Sequence, residues 1–214
     1  RIQSNKEKPG NLSSYANALD DHINLILSQN FINKNNIASK SIAVAVDGIN
    51  SVGGVAIPKF LESLGIKKIK KINCNPDGNF NHNPEPLPEN ITDLCSEMKR
   101  GKYQLGIVVD PDADRLVLVD ERGEPFGEEY TLVAAAEYLL SKNHGASTCS
   151  NLSSTLALKN ITEKYGGKYF SSAVGEINVV QVMKEKKCLI GGEGNGGVIY
   201  PMTCLLYTSP SPRD

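Results

Sequence analysis

Residues 106–123 read GIVVDPDADRLVLVDERG and set three carboxylates and a guanidinium within six positions: Asp110, Asp112, Asp114 and Arg115. Side chains at i, i+2 and i+4 of an extended segment point the same way, so the three aspartates can converge on one point. Carboxylates that close repel strongly unless a cation sits between them. Hard oxygen donors favour Mg²⁺ or Ca²⁺. The motif also follows an apolar run with the character of a strand, and α/β sheets place ligands at the carboxyl ends of strands. An acidic loop that is merely solvated is the plain alternative.

Two other chemistries begin with similar residues. An EF-hand loop needs acids at its positions 1, 3, 5 and 12 and glycine at 6. Counting from Asp110, Glu121 meets the last requirement, but Arg115 stands at the glycine position and the flanks read as strands. That excludes an EF-hand. A haloacid-dehalogenase-type phosphatase also starts from a strand and DxD, using the first aspartate as nucleophile. Here Asp114 stands where that family usually has Thr or Val. It stays open as the rival enzyme reading, beside a cation-binding module that does no catalysis.

The elements that must position these residues alternate. A helix is expected from the spacing of Tyr15, Leu19, Ile23, Ile26 and Leu27, followed by a polar stretch, NKNN. SIAVAVDGIN is a buried parallel strand in character, and GGVAIPKFLESLG a helix stopped by Gly65. KKINCNP is a weaker strand, PENITDLCSEMKRGK a helix with favourable charge at its end, LGIVVD a strand, RLVLVDERGEPF a strand and turn, and EEYTLVAAAEYLLSKN a strong helix. The alternation then restarts: ASTCSNLSS, KYFSSA and CLIGGEGNGGVIYP contain strands, with TLALKNITEKYGG and EINVVQVMKEK as helices between them. The expected fold is α/β: two successive α/β/α layered units with mainly parallel sheets. Residues 1–39 form a linker with a helix, 40–143 the first unit, 144–201 a partial second unit, and 202–214 a tail of non-native or disordered character with no usable period.

Composition bounds the function. The 214 residues are 40% hydrophobic and 22% charged, with a formal net charge of −1. Nothing in that balance suggests a nucleic-acid or acidic-membrane partner. Five cysteines without a CxxC pair indicate reduced thiols and a cytoplasmic protein. No apolar run approaches the roughly 20 residues of a membrane span. The composition sets no oligomeric state.

DPDADR resembles the metal-binding loop of the α-D-phosphohexomutases, usually DGDADR or DGDGDR. VAVDGINSVGG resembles that family's entry to its second domain, and GGEGNGG stands where its third domain has a sugar-recognition loop, usually GExSGH. These landmarks keep the family's order across about residues 40–201, and VGEINVVQVM looks most like the phosphoglucosamine mutase branch. The resemblance implies a phosphoserine enzyme that passes a phosphoryl group between the 1 and 6 positions of a hexose or hexosamine phosphate, through its bisphosphate. It implies Mg²⁺ on Asp110, Asp112 and Asp114, Arg115 on phosphate oxygens as the catalytic residue, and Glu193 on sugar hydroxyls. Asn195 stands where serine is usual and Gly197 where histidine is usual, within the same substrate-binding loop. The family's serine motif, of the form TASHNP, does not occur in the chain. A middle piece of a longer enzyme, inactive alone, is therefore expected. His82 and His22 are expected to pack, and Gly53 and Gly54 to serve a turn.

Overall fold

The computed structural model describes residues 12–202. The tail of unusual composition falls almost entirely outside them. The first unit runs α1 (Ala18–Leu27), α2 (Lys34–Ser39), β1 (Ala43–Asp47), α3 (Gly53–Ser63), β2 (Lys68–Ile72), α4 (Thr92–Arg100), β3 (Leu105–Val109) and β4 (Leu116–Val119). Its sheet has the order β2-β1-β3-β4. β1 pairs in parallel with β2 and β3, and β3 pairs antiparallel with β4. All five residues of β1 are buried, as a central strand covered on both faces must be. β2 is an edge strand reading KIKKI, whose lysines discourage pairing with another chain.

The second unit contains α5 (Glu128–Leu140), β5 (Thr148–Asn151), α6 (Ala157–Lys164), β6 (Tyr169–Ser172), α7 (Glu176–Lys186), β7 (Ile190–Gly192) and β8 (Val198–Ile199). Its sheet repeats the first arrangement, β6-β5-β7-β8, again with only the last strand antiparallel. Each sheet is covered on both faces. Leu61 and Leu64 pack on Val44, Val46 and Ile107 on one side of the first, and Leu94 and Met98 on Ala45 and Val108 on the other. In the second, residues of α5 and α6 cluster with Ile190, whereas Val179, Val180 and Met183 of α7 cluster with Cys149 and Ile199. The two α/β/α layers match the fold expected from the sequence.

Four details differ. The boundary expected at 143–144 lies before α5, because Leu132, Val133, Ala136, Leu139 and Leu140 share a core with Leu158 and Ile190 of the second unit. NKNN opens a short helix, α2, where Asn33 Oδ1 accepts the Asn36 N–H at 2.9 Å and caps its start. His22 is exposed, and it is its neighbour Ile23 that is buried. Gly53 and Gly54 serve close packing and not a turn: a Cβ would lie 2.2 Å from Val109 Cγ2 at the first and 2.6 Å from Cys74 Cα at the second.

Candidate functional site

Asp110 follows the last residue of β3 and is 1% exposed. The three aspartates converge through a tight turn and not along an extended strand. Ala113 N–H donates to the Asp110 carbonyl at 3.0 Å, and Ala113 has φ +58°. One carboxylate oxygen from each of Asp110, Asp112 and Asp114 lies within 4.8 Å of the others. The crowding shows in Asp114, whose carboxyl is pushed up to about 6 by burial and by Asp110 and Asp112, with Arg115 opposing. An oxygen-only cluster whose negative charge exceeds that of its one arginine fits a hard divalent cation such as Mg²⁺.

Arg115 grips the buried member of the cluster. Its backbone N–H donates to Asp110 Oδ1 at 3.1 Å and its Nε–H to Oδ2 at 2.9 Å. Asp114 Oδ1 is 3.7 Å from Nε and Glu85 Oε1 is 3.8 Å from Nη1. With both oxygens held by Arg115, Asp110 is poorly set to attack phosphorus, yet each oxygen keeps a lone pair for a metal.

The glycine loop joins β7 to β8 and reaches the same place. Gly197 pairs with Arg115 as a single antiparallel bridge, and the Leu116 N–H donates to the Gly196 carbonyl at 3.1 Å. Gly196 needs its φ of +93° here, and a Cβ on it would lie 2.8 Å from the Leu116 carbonyl oxygen. Asn195 Oδ1 accepts the Gly197 N–H at 3.0 Å, so this side chain shapes the loop while its amide nitrogen stays available. Gly194 and Asn195 line a small cavity with Glu85, Arg115 and Glu128. A neighbouring cavity is lined by Glu85, Asp110, Asp112 and Arg115. Glu193 accepts from Asn151 Nδ2 and from the Gly175 N–H. Glu176, opening α7, is pushed up by burial and then by the charges of Glu193 and Asp112. Residues predicted from both units therefore border one cleft.

Sequence reasoning missed the cleft's third wall, the connection 73–91. Asp47, 0% exposed at the end of β1, accepts the Ile49 N–H at 3.0 Å, Asn73 Nδ2 at 3.0 Å and faces His82 Nε2 at 3.2 Å. His82 Nδ1 lies 2.8 Å from the Asn83 carbonyl oxygen. His82 is thus a packed, structural histidine, as expected, and the connection it holds carries Glu85 to Arg115. Asn50 adds to the hold, donating to the Asn79 carbonyl at 2.9 Å and accepting the Asn75 N–H at 3.2 Å. The signal in the sequence was a long segment rich in asparagine and proline between two elements. Among the described residues, burial raises the thiols of Cys74 and Cys95 and pushes those of Cys149 and Cys188 up to about 11 and about 12, which disfavours the thiolate.

The family model described as phosphoglucomutase/phosphomannomutase, alpha/beta/alpha domain II, matches residues 20–123, and the model for domain III of the same family matches residues 127–206. The division between them agrees with the packing of α5. A phosphoglucomutase/phosphomannomutase of Thermococcus kodakarensis is 35% identical over 74% of this chain and 35% of its own length. A probable phosphoglucosamine mutase of Methanopyrus kandleri is 28% identical over 89% of the chain and 42% of its own length. The chain thus spans well under half the length of these relatives. A phosphoglucomutase/phosphomannomutase family protein of Burkholderia thailandensis superposes with a TM-score of 0.74 at 26% identity, over 87% of this chain and 40% of that one. Among the described residues no helix is long and apolar enough to cross a membrane.

Proposed function

We propose, from the premise that this chain belongs to the phosphoglucomutase/phosphomannomutase family, that it supplies two domains of a cytoplasmic phosphohexomutase. The enzyme moves a phosphoryl group between the 1 and 6 positions of a hexose or hexosamine phosphate, through the bisphosphate and a phosphoserine. No TASHNP-type motif occurs among the 214 residues, so the serine would come from another segment. The observation that carries the reading is the meeting of two loops at Arg115, which grips Asp110 with its side chain and pairs with Gly197 through its backbone.

Asp110, Asp112 and Asp114 would hold Mg²⁺, which supplies charge neutralisation and orientation for the transferred group. Arg115 aims Asp110, and its remaining guanidinium N–H groups are forked donors suited to phosphate oxygens. Glu193, an acceptor, would take the sugar hydroxyls. Asn195 offers an amide N–H to the same ligand. The sugar must be read in two orientations, one for each transfer. A loop that grips hydroxyls instead of phosphates works in both.

Calorimetry on the 214-residue chain should show one Mg²⁺ site, and Asp112→Asn should weaken it about tenfold or more, as expected for removing one of three carboxylate ligands. Equal affinity in that variant would remove the metal-loop reading. With Mg²⁺ present, the chain alone should not hydrolyse a generic phosphoester. Turnover abolished by Asp110→Asn would favour an aspartyl-nucleophile phosphatase instead.

A further inference from the structure

Glu193 enters the glycine loop directly after β7, and only one of its carboxylate oxygens is free. Oε1 accepts from Asn151 Nδ2 at 2.5 Å and from the Gly175 backbone N–H at 3.1 Å. Two donors satisfy one carboxylate oxygen. Oε2 has no protein partner among the described residues.

Asn151 is built to do this. It is the last residue of β5 and is 3% exposed. Its Oδ1 accepts the Ser153 hydroxyl at 3.0 Å and the Ser154 hydroxyl at 2.7 Å. Glu193 can only accept, so the amide nitrogen must face it, which fixes the orientation of the side chain. The arrangement also works against a repulsion. Glu176 stands beside Gly175 at the start of α7, close enough that Glu193 raises its pKa. Without donors on Oε1, that neighbouring carboxyl would drive Glu193 outward.

We infer that Asn151 is the positioning residue of the glycine loop: with the Gly175 N–H it saturates Glu193 Oε1 and leaves Oε2 to meet the sugar. The inference rests on the reading of Glu193 as the hydroxyl acceptor. One free oxygen with two lone pairs matches two neighbouring hydroxyls on one edge of a ring. It offers nothing to a second anion, so a phosphate is steered away from this side of the cleft.

The test is NMR on the intact 214-residue chain with labelled glutamate and asparagine side chains. In wild type, an Asn151 Nδ2–H proton should move with pH at the same midpoint as Glu193 13Cδ, because the two groups share a bond. Asn151→Ala should raise the proton affinity of Glu193 roughly 10- to 100-fold, the loss of one charge-assisted hydrogen bond. Asn151→Asp keeps the shape and the serine contacts and should raise it further. The amides of β5 and β7 should stay protected in the folded variants. An Asn151 side chain blind to the Glu193 titration in wild type would overturn the inference even if neither variant folds. So would a Glu193 midpoint unchanged in a folded variant. The hydroxyl reading fails separately, when turnover of hexose phosphates by the complete enzyme ignores Glu193→Gln while the titrations stay coupled.

Discussion

Asp114→Asn should make the metal-free chain more stable and the metal-bound chain less so. In the free protein the Asp114 carboxyl is raised from 3.8 to about 6, first by burial and then by Asp110 and Asp112. Its ionised form is therefore strained in the folded state above that pH. A rise of that size corresponds at face value to about 3 kcal/mol. The side chain is 55% exposed, so solvent screening reduces this to about 1 kcal/mol. Asparagine removes the charge, keeps the shape and can donate to Asp110. It loses only the long 3.7 Å approach to Arg115 Nε. The sign follows from linkage. A raised acid contributes stability that is fully present below about pH 4 and lost as pH rises through about 6. The variant's advantage therefore grows between about pH 4 and 6, is full above pH 6 and vanishes near pH 4. In a chain of this size about 1 kcal/mol is roughly 2–4 °C in Tm. Thermal unfolding with a chelator should show the gain at pH 8 and none at pH 4. With Mg²⁺ at pH 8 the order should reverse, since wild type gains the free energy of binding and the variant little of it. A variant that is less stable than wild type in chelator at pH 8 would refute the crowded-carboxylate account of this turn.

Three further outcomes are expected. In the complete enzyme, Glu193→Gln keeps Oε1 bonded and turns the free oxygen into a donor, which should cost about 1.5–3 kcal/mol, or roughly 10- to 100-fold in kcat/KM; unchanged rates on glucosamine, glucose and mannose phosphates would make Glu193 an ordinary loop residue. His82→Ala leaves buried Asp47 short of a partner and should destabilise the chain by about 1–3 kcal/mol in denaturant titration, with hydrogen exchange rising first in 73–91. Gly196→Ala forces a left-handed backbone on a Cβ and pushes it into Leu116, so it should weaken Mg²⁺ binding several-fold, whereas Gly145→Ala, at φ +80° with nothing within 4 Å, should not. Equal effects of the two glycine variants on metal affinity would separate the glycine loop from the metal loop.

Much of the fold was legible because burial leaves a local mark. β1 is a continuous apolar run since both its faces are covered, and the aspartate cluster sits in a six-residue motif that needs no partner to be recognised. What escaped depends on contacts distant in sequence. α5 buries Thr131, Leu132, Val133, Ala136, Leu139 and Leu140, too broad a face to reveal which sheet it joins. Its place in the second unit is a tertiary fact. β2 was set two residues late because edge exposure allows lysine at its first and third positions. The expected alignment of the aspartates rested on an extended chain, whereas Ala113 turns it. Asn151 and Glu193 are 42 residues apart, and Asp47 and His82 are 35 apart. No spacing rule links such pairs, though Asn151 and Asp47 each end a strand and Glu193 follows one, where an α/β sheet gathers its polar groups.

The first residues of β4 explain why two units make one cleft. The Arg115 N–H goes to Asp110 and the next N–H, of Leu116, goes to Gly196. Successive amides, of Arg115 and of the first residue of β4, thus hold the aspartate loop and the glycine loop. The Leu116 carbonyl accepts the Thr131 hydroxyl at 2.7 Å, which ties in α5 of the second unit. Displacing either loop therefore disturbs Arg115, among the described residues the single basic side chain lining the two cavities. That position matters because the cleft is otherwise acidic, with Glu85, Glu128, Asp110 and Asp112 on its walls. A phosphorylated ligand is repelled by such a surface unless cations offset it. Arg115 offers one such charge and a divalent ion on the aspartates would offer more, so the proposed site attracts phosphate only when both are in place. The proposed sugar side would need no such compensation: neutral hydroxyls approach carboxylates readily. Under the proposed reading, the same acidity that calls for a cation on one side of Arg115 would suit the other side to a polyhydroxylated ring.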